Sequence, residues 1–162
     1  NKNIIPVAEQ VNELTTKNVV VVPTRSVAEG LAALIVYDPE ASSEINGAEM
    51  VEAADSVTTG EITQAIRDTK ADIGEILTDD WIGIVKGDGI VSCSADLLAS
   101  VIGLLDEIVD DDSELITVIL GSDADQDVTA SIVGWLADHH GAVTVEVHPG
   151  GQPLYPYLFG VE

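Results

Sequence analysis

Cysteine is nearly absent from this 162-residue sequence, and its one thiol, Cys93, cannot form an intrachain disulfide. A single cysteine also excludes the paired-cysteine clusters of structural zinc sites, and no metal site is expected. No apolar run approaches the roughly 18 residues that a membrane-spanning helix needs. The sequence therefore predicts a cytoplasmic protein without an integral membrane segment, in which Cys93 is a packed thiol rather than a nucleophile.

Basic residues are scarce as well, with six against 29 acidic residues and a formal net charge of −23. This charge repels phosphate backbones, so nucleic acid is not an expected partner. Neither GxxxxGK[ST] nor GxGxxG follows the valine run near the start, and the chain is expected to hold no cofactor of its own. The acidic surface is either a solvated exterior or an attraction for a basic protein surface.

Apolar residues are plentiful, at 46% of the chain, which is enough for a stable core without crosslinks. Strand and helix patterns alternate, which predicts an α/β fold with a mixed sheet and flanking helices. The periodicity changes near residues 56–60. We expect one domain or two tight lobes, with an N-terminal α/β lobe over residues 1–57 and a C-terminal α/β lobe with an antiparallel meander over residues 58–162.

In the first lobe, the four consecutive valines of Val19–Val22 predict a central parallel strand that is covered on both faces. Ser26 followed by Glu29 forms a capping box, so a helix through Leu31, Leu34 and Ile35 should follow. Thr24, Arg25 and Ser26 lie just before that helix. They either bind an anionic ligand or a partner, or they only cap the helix and pair with surface acids.

In the second lobe, the segments EITQAIRD, WIGIV and GIVSC predict an antiparallel meander. Ser94 is expected to cap a helix with one apolar face, and a largely apolar strand over Glu114–Leu120 leads into a second helix. Asp123, Asp125 and Asp127 imitate a calcium loop but lack its glycine and its bidentate acid, so we expect them to stabilise that second helix start.

The segment HPGGQPLYPYL near the end combines glycine, proline and tyrosine. His148 could act as an acid, a base or a carboxylate partner, or be structural, since its unperturbed pKa of about 6.5 lies near neutrality. Gly150 and Gly151 break the preceding strand, and residues Gly150–Tyr157, both glycines included, are expected to form part of a surface that meets a partner or ligand. Gln152, Tyr155 and Tyr157 are either displayed on a rigid turn for recognition, or the rings pack the end of the sheet.

Several segments together resemble one family. NKNII, VVVVPTRSVAEGLAALIVYDPEAS, TGEITQAIRDT, WIGIV and GGQPLYPYL occur in the order found in C-terminal regions of bacterial fatty acid kinase A-type subunits, which are dihydroxyacetone-kinase-like proteins. The resemblance implies a non-catalytic recognition domain that engages a DegV-family fatty-acid-binding protein and other domains of a parent kinase. ATP and magnesium are then expected on a separate domain, which phosphorylates the bound fatty acid.

The chain also looks like a looser relative of DegV proteins themselves, so the alternative function is a DegV-like lipid or small-molecule binding domain. The sequence departs from the DegV pattern, since Val27-Ala28-Glu29-Gly30 and His148-Pro149-Gly150-Gly151-Gln152 replace its LSGT-like and His-x-Gly-Pro-Gly segments. Family relatives carry a strand before the residues that match Asn1–Asn3. We therefore expect a fragment whose sheet edge beside Val19–Val22 is truncated.

Overall fold

The computed structural model describes residues 3–162, and the chain divides into two compact units, residues 1–57 and residues 58–162. The described part of the N-terminal unit is helical. Its helices are α1 (Ile5–Glu9), α2 (Val11–Leu14), α3 (Val27–Ile35) and α4 (Ser43–Asp55). The elements of the C-terminal unit are β1 (Thr58–Gln64), β2 (Thr69–Ala71), β3 (Gly74–Ile76), β4 (Trp81–Val85), β5 (Gly89–Ser94), α5 (Leu97–Ile108), β6 (Leu115–Leu120), α6 (Gln126–His139), β7 (Thr144–Pro149) and β8 (Tyr157–Val161).

The start of α3 confirms the predicted capping box. The Ser26 hydroxyl accepts a hydrogen bond from the Glu29 amide at 3.1 Å, and the Glu29 carboxylate accepts one from the Arg25 amide at 2.6 Å. The bond from Glu29 satisfies one donor of the first turn, and the reciprocal bond reaches Arg25, one residue before the N-cap, rather than Ser26 itself. Glu29 is only 1% exposed, so a carboxylate is built into the first turn of this helix.

The predicted central strand at Val19–Val22 is wrong. Within residues 3–57 no strand is formed, so the expected truncated sheet edge and the α/β character of this lobe are not found there either. The expected truncation concerned the segment Asn1–Asn3, of which Asn1 and Lys2 lie outside the described residues. A strand is stabilised by ladder hydrogen bonds to a neighbour, and the described part of this unit offers the valines no such neighbour.

The buried face of α3 also differs from expectation. The buried core cluster of the N-terminal unit consists of Ala28, Ala32 and Val57, whereas Leu34 and Ile35 are exposed. Small alanines allow α3 and α4 to approach closely, and the larger aliphatic side chains remain on the opposite side of α3. This unit therefore has a small core and much exposed apolar surface.

The C-terminal unit is built on a six-stranded sheet in the order β5-β4-β1-β8-β6-β7. Only the β6–β7 pair is parallel among these neighbours, so the sheet is mixed, as the sequence predicts. The meander is confirmed, because β1, β4 and β5 lie side by side and antiparallel. A two-stranded β2–β3 hairpin is inserted between β1 and β4. The fold class is thus α/β with flanking helices.

Helix α5 packs against the sheet through a buried face that includes Val101, Leu104 and Leu105. A Cβ at Gly83 would collide with the Leu104 side chain, so this glycine allows the helix to approach β4 closely. The N-cap is Asp96 rather than the expected Ser94, because the Asp96 carboxylate accepts the Ala99 amide at 2.8 Å. The helix therefore begins two residues later than the sequence predicts, and the Ser94 hydroxyl accepts the Asp96 amide in the turn before it.

Candidate functional site

The segment between β7 and β8, residues 150–156, is called the tail loop below. The amides of Gly150 and Gly151 both donate to the Leu120 carbonyl at 2.8 Å, which closes the loop onto the end of β6. Gly151 has a φ of 69°, which favours glycine. A Cβ at Gly150 would collide with the side chains of Ile119 and Gln152. Both glycines therefore shape the loop rather than bind through their own atoms.

Gln152 holds the tail loop together from inside. Its side-chain amide donates to the Tyr155 carbonyl at 3.0 Å and to the Ile119 carbonyl at 3.3 Å. Its backbone carbonyl accepts the Ser122 amide at 2.9 Å. The interpretation that Gln152 displays its amide to a partner is therefore corrected: the amide is already used within the chain.

Tyr157 is a core residue, with no exposed surface. Its hydroxyl donates to the Asp125 carbonyl at 2.9 Å, and its ring stacks on Phe159 at a centroid distance of 6.2 Å. Burial raises the pKa of this hydroxyl. Display of Tyr157 to a partner is therefore wrong, and the alternative interpretation, packing at the end of the sheet, is correct for this ring. Tyr155 is half-buried.

Asp125 joins the tail to the start of α6. Its carboxylate accepts the amides of Asp127 and Val128 at 2.8 and 3.0 Å, so it is the N-cap. This confirms the predicted role of the aspartates at the helix start, at least for Asp125. Because the Asp125 carbonyl also accepts the Tyr157 hydroxyl, the start of α6 and the first residue of β8 are held at a set distance.

His148 lies on β7, which is an edge strand, and its side chain is exposed. Its Nε2 is 3.1 Å from a carboxylate oxygen of Glu146, two residues earlier on the same strand face. A side-chain hydrogen bond with both partners this exposed contributes little to stability. The geometry gives His148 a surface partner but no second group with which to perform acid or base chemistry among the described residues.

Thr24, Arg25 and Ser26 lie in the N-terminal unit, and the other candidate residues lie in the C-terminal unit. The Ser26 hydroxyl and the Arg25 amide are used in the α3 cap, and the Thr24 amide donates to the Val22 carbonyl at 2.8 Å. The Glu29 carboxylate occupies the place where an external anion would meet the helix start. These local hydrogen bonds favour a structural role in the helix cap over binding of an anionic ligand or a partner at Thr24–Ser26.

Cys93 has the character of a packed thiol. It is partly buried, and its sulfur donates to a carboxylate oxygen of Asp80 at 3.6 Å. Burial and this carboxylate raise the pKa of the Cys93 thiol, which opposes formation of the nucleophilic thiolate. Among the described residues, no cluster of three or more histidine, cysteine or acidic side chains could hold a metal ion, and no helix is long and apolar enough to cross a membrane.

The feature that sequence reasoning missed is a groove beside the tail loop, with a volume of about 410 Å³. Two large aliphatic side chains border it, Ile66 at 90% exposure and Leu154 at 73% exposure. It is called the tail groove and is lined by Thr63, Gln64, Ile66, Trp81, Asp123, Leu154, Tyr155 and Pro156. Apolar side chains this exposed around one concavity are typical of a binding surface.

The backbone at Leu154 supports that interpretation. Leu154 has a φ of 70°, which is unfavourable for a leucine, and the Thr63 hydroxyl donates to its carbonyl at 2.8 Å. The strained backbone at Leu154 is not offset by burial of its side chain, and strain of this kind is found at functional sites. Ile66 is the second isoleucine of EITQAIRD, and Leu154 is the first leucine of GGQPLYPYL. Neither carries a sequence signal that sets it apart from a core residue such as Ile62, and only their exposure in the structure reveals them.

Comparison with known proteins identifies related chains. A family model for the C-terminal region of fatty acid kinase A-like (FakA-like) proteins matches residues 1–162. The chain is 44% identical, over all 162 residues, to an uncharacterized protein of Staphylococcus aureus strain MRSA252. Uncharacterized proteins of the strains USA300 and NCTC 8325 match with the same identity over the same length. The chain spans 29% of the length of each of these relatives, and the match includes both units and the tail loop.

Proposed function

The chain belongs to the C-terminal family of fatty acid kinase A-like proteins, and on that premise we propose that it is the recognition region of a fatty acid kinase A-type chain. In this proposal it engages a DegV-family fatty-acid-binding protein. A separate, ATP-dependent kinase domain of the parent protein then phosphorylates the fatty acid that the carrier holds. The observation that supports this role best is the tail groove with its two exposed aliphatic side chains.

The composition of the tail groove suits a protein partner. Trp81 and Tyr155 present aromatic surface, and such residues are enriched among the few contacts that carry most of the binding energy at interfaces. Ile66 and Leu154 would lose exposed apolar surface on binding, which favours association by about 25 cal/mol per Å² before its costs are subtracted. The residues in which we place recognition are therefore Ile66, Trp81, Leu154 and Tyr155.

The charge of the tail groove disfavours a phosphate or a fatty acid carboxylate as its direct ligand. Asp123 is among the lining residues, and the lining set contains no lysine, arginine or histidine. An anion there would approach a carboxylate without a compensating cation from that set. The groove is therefore better suited to apolar side chains of a protein than to an anionic head group.

The test replaces Leu154 and Ile66 with asparagine and measures affinity for a purified DegV-family protein loaded with fatty acid. Asparagine tolerates a positive φ, so Leu154→Asn removes the apolar side chain while relieving backbone strain. We expect the double variant to bind the carrier roughly tenfold or more weakly. Its thermal midpoint should be unchanged or higher, which separates lost recognition from lost folding.

A matched control is Ile73→Asn, which removes an exposed isoleucine of the same unit that does not line the tail groove. Its affinity for the carrier should equal that of the unmodified chain. Equal weakening in the control, or full affinity in the double variant, would remove the tail groove from the proposal. Native mass spectrometry of the purified chain tests the lipid-binding alternative, since a retained fatty acid would favour it.

A further inference from the structure

A second groove lies entirely within the N-terminal unit, at the end of α3 and along α4, and also has a volume of about 410 Å³. It is called the α4 groove and is lined by Val36, Glu49, Glu52, Ala53 and Ser56. The two neighbours of Val36 in the chain are also exposed, Ile35 with 79% and Tyr37 with 55% of its surface accessible to solvent. These side chains have no buried role in their own unit, whose described core cluster is Ala28, Ala32 and Val57.

The charged side of the α4 groove is formed by Glu49 and Glu52. They are three residues apart on a helix, so their side chains lie on one face about one turn apart. Both are exposed, and among the described hydrogen bonds and ion pairs none engages either carboxylate. The last turns of α3 and α4 contain no basic residue to offset the negative ends of these helices.

We propose that the α4 groove docks an arginine-bearing, otherwise apolar segment of a partner protein. The methylene stem of the arginine lies along Val36 and Ala53, and its guanidinium is held by Glu49 and Glu52. Long cationic side chains cover apolar surface with their stems while the head remains polar. The guanidinium is preferred to a lysine ammonium because its planar fork can donate to two carboxylates at once.

Charge complementarity decides between the possible occupants. A second copy of this chain carries the same net charge of −23 and only six basic residues, so two copies repel each other. An anionic lipid surface would meet Glu49 and Glu52 and is repelled for the same reason. A partner segment with positive charge next to aliphatic side chains satisfies both the carboxylates and the exposed Ile35 and Tyr37. This surface lies in a different unit from the tail groove, and its test does not depend on that groove.

The test uses the whole chain and a fluorescein-labelled helical peptide with leucines along one face and a central arginine. A second peptide replaces that arginine with citrulline, which keeps the planar shape but has a carbonyl oxygen in place of one terminal nitrogen, so that it loses the charge and part of the donor fork. Fluorescence anisotropy should show the citrulline peptide binding on the order of tenfold more weakly. The protein variant Glu49→Gln/Glu52→Gln should weaken binding of the arginine peptide to a similar degree and should abolish the difference between the two peptides.

The matched control is Asp106→Asn/Glu107→Gln, which removes two exposed acids from α5 of the other unit. This control should leave both affinities unchanged within about twofold, since neither residue lines the α4 groove and an exposed charge outside the contact is screened by salt. Equal weakening in the control would reduce the effect to general attraction by an acidic protein and overturn the proposal. A citrulline peptide that binds equally well, or a dimer in sedimentation that Val36→Asp dissociates, would also overturn it. Circular dichroism confirms that each variant is folded.

Discussion

At the scale of single residues, the most informative side chains are those whose exposure contradicts their chemistry. Leu154 and Ile66 are aliphatic and exposed, whereas the carboxylate of Glu29 is buried in a helix cap. Gln152 and Tyr157 are polar and are turned inward to backbone carbonyls. Replacing Gln152 with alanine would therefore report on the integrity of the tail loop, not on a contact with a partner.

Glu61 provides a pH test at this scale. It lies on β1 opposite Ile84 and Leu158 on the two neighbouring strands, and partial burial raises the pKa of its carboxyl. The folded state therefore holds this proton to a higher pH than the unfolded state, and stability falls as pH rises through the interval from the unfolded pKa to the folded pKa. Above that interval the Glu61 carboxylate is charged in both states, and its partial burial lowers the free energy of unfolding by a constant amount.

We expect Glu61→Gln to raise the thermal midpoint at pH 7 and to leave it nearly unchanged at a pH below the unfolded pKa of glutamate, about 4.3. Differential scanning calorimetry between about pH 3.5 and about pH 7.5 measures the difference. Glu75→Gln, an exposed position on β3, is the control and should shift the midpoint little at either pH. A stabilisation by Glu61→Gln that is larger at low pH would contradict the argument.

At the scale of elements, two largely apolar segments behave differently. The patterns of Val19–Val22 and β6 both predict buried strands, but only β6 has neighbours, β7 on one side and β8 on the other. Ladder hydrogen bonds, not β propensity, make a strand. The valine run forms no ladder within the described part of its unit.

Hydrogen exchange distinguishes these two segments. The amides of Val20–Val22 should exchange within about tenfold of the rate of an unstructured peptide, because no backbone hydrogen bond is described for them as donors. The amides of Ile116–Ile119 in β6 should be protected by several orders of magnitude. Mass spectrometry of peptic fragments after timed labelling gives both rates. Comparable protection in the two segments would show that the valine run has found a strand partner.

At the scale of the molecule, the two units differ in the size of their cores. The C-terminal unit buries a large cluster that includes Ile62, Leu104, Ile132 and Phe159, whereas the N-terminal cluster is Ala28, Ala32 and Val57. Stability rises with the apolar area removed from water, so the C-terminal unit has by far the greater driving force to fold alone.

A fragment comprising residues 58–162 should therefore unfold cooperatively in urea, whereas a fragment comprising residues 1–57 should show no sigmoidal transition. Far-ultraviolet circular dichroism follows both fragments. Tryptophan fluorescence reports on the C-terminal unit alone, because Trp81 and Trp135 both lie in it. A sharp transition in the shorter fragment would show that its core is larger than the described residues indicate.

Local spacing in the sequence determined the features that depend on residues close together in the chain. Ser26 and Glu29 predicted a helix cap, the alternation after Thr58 predicted the meander, and the mixture of strand and helix patterns predicted the α/β fold. The resemblance of quoted segments to one family also lay in the sequence. Each of these depends on contacts over a few residues or on the order of patterns, which the chain carries directly.

Only the tertiary structure decided what distant segments do to one another. It left Val19–Val22 without a strand partner in the described part of its unit, turned Tyr157 toward the Asp125 carbonyl, and placed Leu154 beside Ile66 at a groove. A valine, a tyrosine or a leucine has the same local pattern whether it is buried or exposed. Its surroundings are set by residues far away in the chain, and for that physical reason the candidate recognition surface could not be predicted from spacing alone.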